Sequence, residues 1–248
     1  SRAAWEESSR GLSQTDLAMQ VVLPELDGRL LTGAVSFKDS EAALPALQYA
    51  RTVHRPDADG VALAANRAVG WVRLSQTPRA ARRLAIVLSD YPGVGGQRGH
   101  AVGLDSFASL DAILHDLSDA GFTTGDLPDQ AALVNALCHA PPTPMLSLAE
   151  YERLFAALPD SLQASVRAAW GDPAGDFALQ HIQLGKLTVG IQPDRGGADR
   201  RALYHNPDQM PCHAYLAFYL WLRHGLNVHA ILHLGAHGSL EWLPGKAV

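Results

Sequence analysis

The chain has 248 residues, 47% of them hydrophobic and 18% charged, with a net charge of −5 at neutral pH. That length and apolar fraction mark a globular protein with a core in one large or two small domains, and the acidic balance leaves no basic field for nucleic acid or an anionic membrane. Cys138 and Cys212 are too few for a disulfide framework and fit a reducing cytoplasm, no leader-like start is visible, and the longest apolar stretch, 214–222, is too short to span a bilayer.

Ser13, ahead of Thr15 and Asp16, is expected to cap a short helix that leads into a strand over 19–23. Asp27-Gly28 then turns the chain, and 30–37 is expected to pair back as a hairpin, with Glu25 and Asp27 near the turn. Residues 41–83 have a helical pattern broken at 57–60, with a long amphipathic helix from Val61 towards Thr77 that Pro78 ends. The apolar run 84–88 is a buried strand, and a glycine-rich loop over 89–103 follows it.

That loop fails both nucleotide tests. A phosphate loop needs Gly-Lys-Ser or Gly-Lys-Thr at its end, where Gln97-Arg98-Gly99 stands. The dinucleotide fingerprint fails because Gly93 and Gly95 are followed by Arg98 where a third glycine belongs. What remains is either a surface loop or a lid over a ring-shaped ligand, with Asp90, Tyr91, Arg98 and His100 at the carboxyl end of a strand.

A helix over 107–119 capped by Asp105 or Ser106 comes next, then a mostly helical region. Its expected parts are 129–139, a capping box at Ser147-Leu-Ala-Glu150 opening the next helix, and 161–170, with 140–145 as a rigid linker. Gly185-Lys186 between β-rich arms 177–184 and 187–192 signals a two-residue hairpin. Beyond it, Arg195 could clamp a carboxylate in bidentate fashion or form an ordinary surface ion pair. Residues 215–223 read as a buried helix.

The last stretch carries the chemistry. An apolar strand over 230–234 ends in a turn at Gly235 and Gly238, and ligands bind outside the carboxyl ends of strands in open α/β sheets. His233, His237 and Glu241 recur every four residues and would share one face of a helix, but the glycines argue for strand, turn and a short helix ended by Pro244-Gly245. His237, Ser239 and Glu241 then converge as metal or proton-transfer groups, with His233 just before them. The plain alternative is His233 hydrogen-bonded inside a core and Glu241 capping the next element. The expected architecture is α/β, a Rossmann-like parallel or mixed sheet with flanking helices plus a β-hairpin. Ile86, Val87, Ile231 and Leu232 are expected on central strands.

His237-Gly-Ser-Leu-Glu-Trp-Leu-Pro-Gly-Lys246 resembles the signature of the large subunit of cobaltochelatase and of its relative, the H subunit of magnesium chelatase. Leu23-Pro-Glu-Leu-Asp-Gly-Arg29, Ala65-Asn-Arg-Ala-Val-Gly-Trp71, Gln192-Pro-Asp-Arg-Gly196 and Tyr215-Leu-Ala-Phe-Tyr-Leu-Trp-Leu222 resemble that family in the same order, so the resemblance covers nearly the whole chain. Glu241-Trp-Leu-Pro244 is closer to the cobalt branch than to the magnesium branch, where Glu-Phe-Met-Pro is expected.

The resemblance implies a chelatase-like fold and insertion of Co2+ into hydrogenobyrinic acid a,c-diamide, a corrin precursor, in aerobic cobalamin synthesis in the cytoplasm. ATP and Mg2+ would be used only by partner AAA+ motor subunits, which agrees with the missing nucleotide motifs. No nucleic acid or membrane partner is implied. His237 and Glu241 are the expected catalytic pair, and with His233 the expected metal ligands. Tyr91, Arg98, His100, Arg195, His213 and Lys246 are expected substrate contacts, and Glu25 is a further candidate. The family's large subunits are far longer, so the chain is expected to be a fragment, with 1–83 ending one α/β segment and 84–248 forming another. Three rivals stand beside this reading. They are a magnesium chelatase subunit acting on protoporphyrin IX, a scaffold module docking the motors, and a hydrolase with a metal-bound water on His233, His237 and Glu241.

Overall fold

The computed structural model describes residues 2–89, 99, 101, 103–196, 205–235 and 239–246, and only the main chain of Glu241. The chain divides into two units, one of 1–75 with 245–248 and one of Gln76–Pro244.

In the first unit α1 spans Arg2–Glu7. Ser13 then accepts from the Asp16 N–H at 3.1 Å and opens α2, Gln14–Leu17. Helix continues through a π turn at Ala18–Val22 into α3, Leu23–Leu26. This corrects the strand expected over 19–23, because so short and mostly apolar a segment does not distinguish strand from helix. Pro24, which has no N–H to donate, lies within this continuous helical run just past the π turn. Gly28, at φ +75°, ends the helix in the left-handed region.

The expected hairpin is also redrawn. β1 (Ser36–Ser40) pairs antiparallel with β2 (Thr52–Pro56), Ser36 opposite Pro56, so a strand lies inside the segment expected to be helical. After β2 comes α4, Ala58–Gln76, close to its expected span. Gly60 is required there, since a Cβ would fall 1.8 Å from the Ala34 carbonyl oxygen. Not one described residue among 2–75 is buried.

The second unit is built on a four-stranded sheet. β3 (Leu84–Leu88) lies parallel to β7 (Leu187–Ile191) on one side and to β8 (Ala230–Leu234) on the other, and β6 (His181–Leu184) adds antiparallel to β7. β3 is apolar throughout because both its faces are covered. Ala85 and Val87 pack with Tyr151, Phe155, Val166, Phe218 and Leu222, while Ile86 and Leu88 pack with Leu110, Leu114, Leu133 and Leu137. The helices α5 (Ser106–Asp119) and α6 (Gln130–Val134) supply the second face. α7 (Leu148–Phe155), α8 (Asp160–Trp170) and α9 (His213–Leu220) supply the first. The unit is a mixed α/β sandwich of helix, sheet and helix.

Three helix starts follow from their caps. Asp105 accepts from the Ala108 N–H at 2.9 Å, Asp129 from that of Ala132 at 2.8 Å, and Ser147 from that of Glu150 at 3.3 Å. The last is half a capping box, since the Glu150 carboxylate turns to Arg153 at 2.6 Å instead of back to Ser147.

Gly185, at φ +56°, makes the β6–β7 hairpin turn as expected. Two neighbouring expectations change. The segment read as a rigid linker contains the start of β4 (Thr143–Leu146), which pairs antiparallel with β5 (Phe177–Leu179), so the arm read as 177–184 is two strands in two sheets. Ile231 and Leu232 are not central: β8 is the last strand in the sheet order, and the Leu232 side chain is 44% exposed.

Candidate functional site

The carboxyl ends of β3, β7 and β8 lie side by side, as parallel pairing requires. The ladder runs one residue past them on both sides of β3: the Ser89 N–H donates to the Leu234 carbonyl at 2.9 Å and the Gln192 N–H to the Leu88 carbonyl at 2.8 Å. Ser89, Gln192 and Gly235 therefore form the lip of the sheet. At Gly235 the approach is so close that a Cβ would lie 2.5 Å from Ser89 Cβ.

Gly235→Ala is accordingly expected to overpack this lip, at a cost of about 1–3 kcal/mol. In a chain of this size each kcal/mol lowers the melting temperature by roughly 2–4 °C. Ser89→Gly in the same chain removes the colliding atoms and should recover most of the loss. Thermal melts of both variants check this, and a single variant that melts like the parent overturns it.

Beneath the lip is a buried polar network. The Gln192 side chain accepts from the Ser239 N–H at 3.2 Å and lies 3.0 Å from the Ser239 hydroxyl. Its amide nitrogen donates to the Tyr219 hydroxyl at 2.5 Å and to the Tyr215 hydroxyl at 3.3 Å. The Ser239 and Tyr215 hydroxyls are 3.0 Å apart, so every member has a partner. Burial pushes both tyrosine pKa values up, and both phenols stay protonated.

The Tyr219 ring in turn stacks on the imidazole of His233, centroid to centroid 5.9 Å and 26° from parallel. His233 keeps an exposed edge, but loss of water from its surroundings lowers its pKa. Its neutral form, with a lone pair free for a metal, is therefore favoured.

The motif continues into a 3₁₀ turn, Ser239–Trp242. Arg195 holds its far end: 4% exposed, it donates to the main-chain carbonyls of Trp242 and, at 3.0 Å, of Asn206. These two bonds turn part of the Arg195 guanidinium to the protein's own main chain.

His213 likewise faces inward. It is buried, the Tyr151 hydroxyl donates to its Nδ1 at 2.6 Å, and its Nε2–H donates to the Gly171 carbonyl at 2.9 Å. Both ring nitrogens are occupied inside the core. Lys246 belongs to the first unit, where its ammonium lies 4.9 Å from the centroid of the Trp5 ring and donates to the carbonyl oxygens of Trp5 and Ser8. Glu25 is an exposed residue of α3, also in the first unit.

Tyr91, Arg98, His100, His237 and the Glu241 side chain lie outside the described residues. Among the described residues no three His, Cys, Asp or Glu side chains gather as a metal site, and no helix is long and apolar enough to cross a membrane. Burial raises the Cys212 pKa, which keeps it a thiol and not a nucleophile.

Sequence reasoning missed Gln192, Tyr215 and Tyr219 as parts of this site. A weak signal existed, two tyrosines four residues apart in an otherwise apolar helix and a glutamine just past a buried strand.

Comparison with known proteins places these features in context. The chain matches the family described as CobN/Magnesium Chelatase over residues 1–248. It is 40% identical to a protein from Sinorhizobium sp named aerobic cobaltochelatase subunit CobN, across all of this chain and 21% of that protein. Identity is 30% to the chloroplastic magnesium-chelatase subunit ChlH of Oryza sativa subsp. indica, across 98% of this chain and 18% of that one. Among solved structures, the catalytic subunit of cobaltochelatase from Mycobacterium tuberculosis superposes with a TM-score of 0.81 at 38% identity, covering 99% of this chain and 22% of that chain. The chain thus spans about a fifth of the length of these relatives.

Proposed function

This chain belongs to the CobN/magnesium chelatase family, and from that premise we propose that it is the metal-handling part of the large subunit of an ATP-dependent cobaltochelatase. The substrate is Co2+ with hydrogenobyrinic acid a,c-diamide, in cobalamin synthesis in the cytoplasm. AAA+ motor subunits hydrolyse the ATP, with its Mg2+, on separate chains.

The observation that carries this reading is the buried network at the strand ends. It fastens Ser239 and, through Tyr219, His233 on either side of the segment that holds His237. Such rigidity suits a site that must present metal and ring to each other in one geometry.

Insertion exchanges two pyrrolic protons for one dication, so the site needs a ligand that releases the metal and a base that takes protons. Neutral imidazole is a good ligand for cobalt. His233 and His237 are assigned that role, with Glu241 sharing the metal or accepting a proton and passing it to water. Tyr91, Arg98 and His100 are assigned to the macrocycle.

The cobalt branch is preferred because identity to the cobaltochelatase relative is 40%, against 30% to the magnesium one. Titrating the full-length subunit with hydrogenobyrinic acid a,c-diamide and with protoporphyrin IX, and following quenching of its tryptophan fluorescence, tests the assignment. Tighter binding of the corrin precursor is expected. Preference for the porphyrin moves the protein to the magnesium branch, and binding of neither leaves the scaffold reading.

A further inference from the structure

The proposed chemistry needs His233 and the residues after Ser239 held at a fixed separation, and the structure assigns that task to Gln192. We propose that Gln192 is a positioning residue, one buried amide that sets the spacing of the two flanks of the metal-handling motif. This inference rests on the function proposed above only for the meaning of the spacing; the fastening itself is a matter of hydrogen bonds.

Gln192 sits just past β7, is 3% exposed, and has its own N–H fixed on the Leu88 carbonyl at 2.8 Å. It therefore moves with the centre of the sheet. The orientation of its amide is not arbitrary. The Ser239 main-chain N–H can only donate, so the atom 3.2 Å from it must be the amide oxygen, and the nitrogen must face the tyrosines. Two N–H groups then meet two phenol oxygens. The oxygen takes the Ser239 N–H and its hydroxyl proton, while the Tyr215 hydroxyl donates to Ser239 Oγ.

Through these bonds a single side chain reaches both sides of the motif. Ser239, which opens the turn bearing Glu241, is bound directly. His233 is reached through Tyr219, whose hydroxyl accepts from the amide and whose ring lies on the imidazole. Tyr215 and Tyr219 of α9 and Ser239 of the 3₁₀ turn meet at this amide, and no smaller or apolar side chain could join them. Asparagine is a methylene too short, leucine offers no donor or acceptor, and a buried glutamate adds a charge and loses both donors to the phenols. Gln192 acts on the chemistry only through what it holds.

The test uses the full-length large subunit reconstituted with its motor subunits and two variants, Gln192→Leu and Tyr219→Phe. The second keeps the ring on His233 and removes only the hydroxyl. Hydrogen exchange at the Ser239 amide reads the fastening directly, whatever the substrate proves to be. In Gln192→Leu that amide is expected to exchange roughly 5- to 30-fold faster while the amides of β3 and β7 keep their protection. Tyr219→Phe should shift the same amide in the same direction by less.

In the insertion assay Gln192→Leu is expected to lower kcat by roughly 10- to 100-fold with little change in KM for the macrocycle, the signature of misplaced but still bound reactants. A stability role alone would lower the amount of active enzyme and leave kcat per folded molecule unchanged. Should Gln192→Leu fail to fold, Tyr219→Phe carries the same two readouts. Unchanged exchange at Ser239 in a folded variant, or unchanged kcat with faster exchange, overturns the proposal. Absence of corrin turnover in the parent protein instead strikes the functional reading and leaves the exchange result to decide this one.

Discussion

Glu241→Gln in the full-length subunit, reconstituted with its motors, is expected to keep the fold and to lose metal insertion by roughly 10²- to 10⁴-fold, the usual contribution of a positioned base. His237→Ala should fall at least as far, because it removes a proposed metal ligand. The magnitude follows from what the substitutions leave in place. Glutamine has the shape of glutamate and keeps one acceptor, but it has no charge and no basicity at neutral pH. The turn is held by Ser239 and by the main-chain carbonyl of Trp242, and both of these bonds remain in either variant. Melting and turnover measured together distinguish the outcomes. Full turnover of folded Glu241→Gln removes Glu241 from the role of base, and a melting temperature lowered by several degrees with activity intact makes it a structural residue.

Arg195→Met is expected to be the most destabilising of the single changes at this site. The side chain fits the space of the arginine stem but offers no donor, so the carbonyls of Trp242 and Asn206 lose a buried partner. A buried acceptor left unsatisfied costs about 1–3 kcal/mol. Two of them lower the melting temperature on the order of 10 °C in a chain of this size. Arg195→Lys keeps the charge but not the planar fork, and should recover part of the loss. A methionine variant that melts within about 2 °C of the parent, well inside one such penalty, shows that water takes over both carbonyls.

Two strands of the sheet, β3 and β8, were legible because nothing else explains their composition. Residues 84–88 and 230–234 are short, apolar and bounded by polar or turn residues, and they became the parallel pair β3 and β8. The helix starts near Asp105, Asp129 and Ser147 were legible for a similarly local reason, since a cap is a contact over three residues. What failed was whatever depends on distant partners. Thr52–Pro56 has a polar pattern that signals no strand until Ser36–Ser40 lies beside it. Leu232 reads as core in sequence, yet the edge position of β8 exposes it. Arg195 looks like a surface cation, but its burial is set by the turn at Trp242, 47 residues away. The polar network is the extreme case. Gln192, Tyr219 and Ser239 come from three elements, and periodicity describes only one element at a time.

The contrast between the two units bears on which parts can fold unaided. Ordering a residue's backbone costs about 1–2 kcal/mol, and the main offset is apolar surface taken from water. The Gln76–Pro244 unit has that offset on both sides of its sheet. The other unit has none to match: its 19-residue helix α4 leaves Val69, Trp71 and Val72 exposed, and none of its described side chains is buried. A helix of that length is near the margin of persistence in water. Residues 1–75 are thus a dependent element in the sense of folding cooperativity. A peptide of residues 1–75 made alone is expected to show little persistent helix by circular dichroism, and a strongly helical spectrum overturns that.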